Sequence, residues 1–140
     1  MDRQTELSVA LHQGLSRLGP GSAECTLKAL ALCEDLPAVP EILDAGCGTG
    51  AQTLVLASAT AGRITATDLI GPFLAQLEER AAETGLDQRI QTLAADMNDL
   101  PFPDDRFDLI WSEGAAYVMG FDNALREWWS LAKPVGYLVV

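Results

Sequence analysis

A glycine-spaced turn, Gly46-Cys47-Gly48-Thr49-Gly50, restricts this chain more than any other feature. It follows the short apolar run Glu41-Ile42-Leu43-Asp44-Ala45 and precedes a helix-forming stretch over 50–60. Glycines at alternate positions let the backbone turn tightly and approach a ligand closely. A strand, such a turn and a helix open a βαβ unit, and the rhythm then repeats. Arg63-Ile64-Thr65-Ala66-Thr67-Asp68 predicts a second strand, followed by a helix over 71–84 with Phe73, Leu74 and Leu77 inward. Residues 90–96 predict a third strand and 107–112 a fourth. A helix over 121–132 carries Leu125, Trp128, Trp129 and Leu131, with both tryptophans read as core, and Gly136–Val140 begins a fifth strand. Alternation of this kind requires right-handed crossovers and an open parallel sheet covered on both faces. The expected class is α/β, doubly wound and mainly parallel.

Ahead of this core, Leu7, Leu11, Leu15 and Leu18 recur at helical spacing and predict an amphipathic helix over 5–18. Gly19-Pro20-Gly21 breaks it, and Ser22 is placed to cap a second helix over 23–35. At 140 residues the chain reads as a single domain, 1–140, with a helical cap at 1–36 and the α/β core at 41–140. Gly19-Pro20-Gly21 then reads as either the hinge of that cap or a plain tight turn.

Composition narrows the class of ligand. With 49% hydrophobic and 21% charged residues the chain is neither disordered nor fibrous. Nine basic residues against 20 acidic ones give a net charge of −11, which disfavours nucleic acid and anionic membranes as partners. Cys25, Cys33 and Cys47 form no C-x-x-C pair, and with His12 as the single histidine a metal site is not expected. The odd cysteine count, the absence of a signal-like start and the lack of a long apolar run lead to the expectation of a reducing, cytoplasmic setting.

Ligands of open parallel sheets lie at the carboxyl ends of the strands. Asp44 ends the first predicted strand, Asp68 the second, Asp96 the third and Ser112-Glu113 the fourth, so four acids are expected to face one crevice. The glycine turn itself fits two ligands. Read as G-x-G-x-x-A, with Asp68 about 20 residues further on, it matches a dinucleotide site. Read as D-x-G-x-G-x-G from Asp44, it matches a site for S-adenosylmethionine. Charge separates the two: at an effective dielectric near 20, an aspartate about 4 Å from a pyrophosphate charge costs about 4 kcal/mol. A sulfonium and an ammonium are attracted by the same groups.

Ile42-Leu43-Asp44-Ala45-Gly46-Cys47-Gly48-Thr49-Gly50 closely resembles motif I of class I S-adenosylmethionine-dependent methyltransferases. Asp68 and Asp96-Met97 match that family's acidic positions at the second and third strands. The run Leu100-Pro101-Phe102-Pro103-Asp104-Asp105-Arg106-Phe107-Asp108-Leu109-Ile110 is similar to the small-molecule branch that contains the ubiquinone and menaquinone methylases. Gly19-Pro20-Gly21-Ser22 with Trp111-Ser112-Glu113-Gly114 resembles one bacterial subgroup of that branch. The resemblance covers residues 41–140 and implies a Rossmann-like fold and methyl transfer from S-adenosylmethionine to a small-molecule acceptor. A non-catalytic domain binding S-adenosylmethionine, and a nicotinamide-dependent oxidoreductase, are the alternatives.

The same resemblance implies roles. Gly46, Cys47, Gly48 and Gly50 would form the loop beneath the cofactor, with Asp44 orienting it and the ammonium. Asp68 would accept the ribose hydroxyls, and Leu69 would lie against the adenine. Asp96 and the Met97 N–H would meet the adenine edge, and Ser112 the methionine portion. Glu113 would hold the ammonium or serve as base, with Tyr117 and His12 as further catalytic candidates; no catalytic residue is assigned. Cys47 reads as a small filler, because neighbouring acids raise a thiol's pKa. The resembled fold continues past a fifth strand, so the chain is expected to be cut short there, leaving an exposed C-terminal sheet edge suited to homodimer pairing.

Overall fold

One wholly parallel sheet organises the chain in a computed structural model that describes residues 1–140. Its strands are β1 (Glu41–Ala45), β2 (Arg63–Asp68), β3 (Ile90–Ala94), β4 (Phe107–Trp111) and β5 (Ala132–Val139), in the order β3-β2-β1-β4-β5. The order reverses between β1 and β4, which puts the topological switch point at the carboxyl end of β1. The helices are α1 (Arg3–His12), α2 (Ala23–Ala31), α3 (Ala51–Ala59), α4 (Gly71–Glu83) and α5 (Phe121–Trp128). No helix is long and apolar enough to cross a membrane.

Side-chain alternation along β1 creates the two core layers. Leu43 and Ala45 point to one face, where Phe107, Ile110, Met119, Ala124, Trp128 and Leu131 join them. Ile42 points to the other, against Cys33, Leu56, Ala57, Ile64, Leu109 and Trp111. Asp44 shares that second face and is thereby aimed at α3. A register irregularity between Phe107 and Leu109 lets Phe107 and Ile110 serve the same layer. A smaller cluster of Cys47, Ala66, Leu74 and Leu77 seats α4 beneath the glycine turn.

The predicted core elements are present with modest shifts: α3 runs over 51–59, α4 over 71–83, and β2 over 63–68 as expected. Three differences bear on the site. The first helix stops at His12 because Gln13 leaves the helical region and Gly14 turns left-handed, at φ 89°. Leu7 and Leu11 then stand 56% and 72% exposed, so the leucine stripe is not the buried face. Residues 13–21 instead form a strap leading to α2, which itself ends at Ala31 rather than 35. Near the other end, α5 closes at Trp128 and a 3-10 turn follows over Trp129–Leu131. Adjacent helical positions cannot share a face: Trp128 is buried, but Trp129 is exposed and is not core. β5 accordingly begins at Ala132, not Gly136.

Phe107 is fully buried and stacks edge-on with Phe102 at 5.1 Å between ring centroids. Phe107→Ala is expected to lower the unfolding free energy by about 3–5 kcal/mol, read as a shifted urea midpoint.

Candidate functional site

The glycine turn is tied to the end of β2 by its own backbone. Gly46 and Cys47 N–H both donate to the Thr67 carbonyl at 2.9 Å. Gly48 N–H donates to Asp68 Oδ2 at 2.9 Å, and Ile70 N–H donates to Asp68 Oδ1 at 2.9 Å. Asp68 therefore joins the turn to the start of α4 and faces the cleft between them. Gly46 and Gly48 adopt left-handed backbones, at φ 74° and 56°. A Cβ on Gly46 would lie 2.5 Å from the Ala115 side chain, and one on Gly48 would press on Leu18 at 3.0 Å. Side chains are excluded from this cradle, and the floor of the cleft stays open.

The cleft has a volume of about 640 Å³, within the range that holds a cofactor-sized molecule. Its floor includes Gly46, Cys47, Gly48 and Asp68, flanked by Leu69, Met97 and Glu113. Tyr117 and His12, the two further candidates from sequence, also line it. Leu69 is 67% exposed, an apolar surface available to a flat ring. Trp128 Nε1 donates to the Met97 carbonyl at 2.9 Å and so fixes the turn after β3.

Several expected site residues are elsewhere. Asp44 is wholly buried, accepting from Thr53 Oγ1 at 2.6 Å and Gln52 Nε2 at 3.2 Å. Gln52 Nε2 also donates to the Cys47 carbonyl at 3.3 Å, so Asp44 orients the turn from behind, as expected, but does not face a ligand ammonium. Burial pushes the Asp44 carboxyl up to about 7, against the opposing hydrogen bonds from Thr53 and Gln52. Gly50, at φ 86°, caps α3 against Leu77, and a Cβ there would come within 2.2 Å of the Leu77 side chain; it is a packing glycine outside the cleft. Ser112, just past β4, is buried: its N–H donates to the Val139 carbonyl at 2.9 Å and its Oγ to the Ala45 carbonyl at 2.8 Å, which commits the side chain to the sheet. Asp96 is exposed and folds onto Asn98, whose backbone and side-chain N–H groups hold its carboxyl below the usual range. The picture of four acids facing one crevice is corrected: only Asp68 and Glu113 reach the cleft.

Glu113 lines the cleft with both carboxylate oxygens already engaged. Its Oε1 accepts from Arg17 at 3.1 Å, and its Oε2 accepts from Thr26 Oγ1 at 2.8 Å and Trp111 Nε1 at 3.1 Å. Three donors from the strap, α2 and β4 leave it poorly placed as a base, and it acts as the joint between cap and core. Gly21 makes room for it: a Cβ there would lie 2.8 Å from Glu113 Oε1. The strap is pinned further along its length. Gln76 holds Gly14 and Leu15, Thr49 Oγ1 donates to the Leu15 carbonyl at 3.0 Å, and Arg80 donates to the Ser16 and Thr49 carbonyls. Leu18 thereby closes over Gly48. Cys47 is a buried filler whose thiol is pushed well above the ordinary range by burial and by the Asp44 and Asp68 charges. Sequence reading missed Gln52, Thr53, Arg17 and Leu18, along with the α1 residues Gln4, Thr5 and Ser8. Only the last group carried a visible signal, the helical spacing of polar side chains.

Comparison with known proteins agrees with this architecture. The methyltransferase domain family matches residues 42–136, and the chain belongs to that family. Methyltransferase GfsG of Streptomyces halstedii is 31% identical over 76% of this chain and 38% of its own length. The ubiquinone/menaquinone biosynthesis C-methyltransferase UbiE of Rickettsia massiliae is 32% identical over 70% of this chain and 42% of its own. Among solved structures, the [4+2]-cyclase SpnF superposes with a TM-score of 0.72 at 30% identity, over 88% of this chain and 48% of that one. YjhP from E. coli superposes with a TM-score of 0.79 at 24% identity, over 99% of this chain and 55% of that one. The fold is thus Rossmann-like, and the chain spans about two fifths of the length of the curated relatives it matches.

Two outcomes are expected from the acids. A carboxyl raised on folding binds a proton that the unfolded chain has lost, so its contribution to stability is full below pH about 4 and is lost as pH rises to about 7. Urea midpoints of Asp44→Asn should therefore fall less than those of the wild type across that window. Glu113→Ala leaves three donors without their acceptor, costing about 1–3 kcal/mol, and should hasten proteolysis within residues 13–21. Unchanged cleavage rates would show the cap to be held by other contacts.

Proposed function

We propose that this chain binds S-adenosylmethionine at the carboxyl ends of β1, β2 and β4 and serves transfer of its methyl group to a small-molecule acceptor. The observation that carries the reading is Asp68, a carboxylate facing the cleft while tied through Gly48 N–H to a glycine turn that no side chain could occupy. Its remaining lone pairs suit the two hydroxyls of a ribose. Leu69 offers an apolar face to the adenine, and Met97 lines the same cleft. Gly46 and Gly48 would underlie the methionine and ribose portions.

The bound cofactor would supply an electrophilic methyl group on a positive sulfur. The protein's part is to hold the acceptor in line with that methyl, and positioning of this kind contributes up to about 7–11 kcal/mol. The strap brings Leu18 against Gly48 and supplies an apolar wall to the cleft. Family membership supports methyl transfer, and the likeness to UbiE, by name an enzyme of ubiquinone and menaquinone biosynthesis, supports a small acceptor. A second reading, ligand binding without methyl transfer, draws on SpnF, a cyclase by name that shares this fold at 30% identity. Three free cysteines suit a reducing, cytoplasmic setting, and the open edge of β5 is the surface through which two copies would pair.

Calorimetric titration with S-adenosylmethionine, S-adenosylhomocysteine and NADH tests the cofactor. Micromolar binding of the first two, weakened at least tenfold by Asp68→Ala, is expected. Binding of NADH alone would replace this reading with an oxidoreductase.

A further inference from the structure

Helix α3 carries no charged side chain in its nine residues, Ala51–Ala59, although 21% of the chain is charged and every other α-helix carries charge. A helix without charge is normally buried all round. This one is buried on one side only. Gln52, Thr53, Leu56 and Ala57 are covered, whereas Ala51, Leu54 and Val55 are half-covered and Ser58 is exposed. These four residues follow the i, i+3, i+4, i+7 spacing of a single helix face. They line a second cavity, of about 650 Å³, which shares only Arg17 and Ala51 with the cleft at the glycine turn. Leu27 of α2, 46% exposed, adds to its apolar surface.

Two cations line this groove, Arg17 from the strap and Arg80 from α4, and no acid does. Each guanidinium spends only Nη1 on the protein. Arg17 donates to Glu113 Oε1 at 3.1 Å, and Arg80 to the Ser16 carbonyl at 3.1 Å and the Thr49 carbonyl at 2.7 Å. Arg80 makes no ion pair. Burial, and after it the Arg17 charge, lower the Arg80 pKa from its usual value, while Glu83 acts on it from outside the groove. With Glu113 answering Arg17, one positive charge is left over in a chain whose net charge is −11. That remainder matches a monoanion, and the unused Nε and Nη2 sides present the planar fork that suits a carboxylate.

We infer that this groove is a second binding site, for a small monocarboxylate with an apolar body, and that its occupant fastens the strap to α3. The carboxylate would meet the free sides of the two guanidiniums, and the body would lie along Leu27, Leu54 and Val55. From Ala51 to Ser58 the α3 face runs about 10 Å at about 1.5 Å per residue, the length of a medium acyl chain. Ser16 and Arg17 belong to the strap, so a ligand that joins Arg17 to α3 keeps residues 13–21 from opening. Binding here needs no cofactor, and the inference stands apart from the reading of the cleft.

Octanoate, kept below its micelle concentration, tests this on the cofactor-free chain. It is titrated while leucine and valine methyls are followed by NMR, and Kd is taken from the shifts. Methyls of Leu27, Leu54 and Val55 should move, and those of Leu69 and Val118, which line the other cleft, should not. With about ten non-hydrogen atoms, octanoate should bind at about 1 mM or tighter. Acetate lacks the body and octanamide the charge, and each should bind at least about tenfold more weakly. Arg80→Gln and Ser58→Glu should each weaken octanoate about fivefold or more. Ser58 is exposed and glutamate suits a helix, so the second variant is expected to fold, which its urea midpoint checks. Saturating octanoate should also slow proteolysis within residues 13–21 about threefold. Octanoate that fails to bind, that moves the Leu69 and Val118 methyls instead, or that leaves cleavage unchanged overturns the inference. Equal affinity in both variants, or for octanamide or acetate, overturns it as well.

Discussion

The whole site hangs on a few backbone bonds between the glycine turn and the end of β2. Thr67 offers one carbonyl to two successive N–H groups, and Asp68 takes the next one with its side chain. Without that tie the turn would be a flexible run of three glycines, entropically expensive to order around a ligand. With it, the floor of the cleft is set by the same sheet that forms the core. Asp44 adds a second tie from behind, since its partners Gln52 and Thr53 belong to the first turn of α3. The turn is held between two aspartates, one facing the cleft and one sealed beneath it.

Legibility in the sequence followed the range of the physics involved. Strand and helix alternation depends on local patterning, so β1 to β4, α3 and α4 fell close to their expected bounds. Lining of the cleft by Gly46, Gly48, Asp68, Leu69 and Met97 followed from strand ends and a turn, which are local as well. What the pattern did not carry was the direction of individual side chains. Asp44 lies one residue inside the end of β1 and Ser112 one residue past the end of β4, and both side chains turn into the interior. Trp129 shares a helix end with Trp128, and a change of helical pitch turned it outward. Glu113 was beyond reach of any local rule, since its partners lie 96, 87 and 2 residues away.

The N-terminal segment shows the same limit more sharply. Four leucines at helical spacing looked like a buried stripe, but α1 stops at His12 and offers its polar side inward. The strap that follows is held by side chains of α4 and by Thr49, all far away in sequence. The strap is therefore coupled to the core through polar contacts, with Glu113 as the joint, whereas α2 and the turn after it join the core through apolar packing of Ala29, Leu30 and Cys33.

Asp44 also makes the sealed side of the turn a store for a proton. A carboxyl that titrates at about 7 is partly protonated near neutrality. A positive ligand settling over the turn would favour the ionised form, and its binding would then release that proton into solution. The heat of such a binding event then contains the ionisation heat of whatever buffer receives the proton. Titrations in two buffers of different ionisation enthalpy would differ by an amount that counts the protons released.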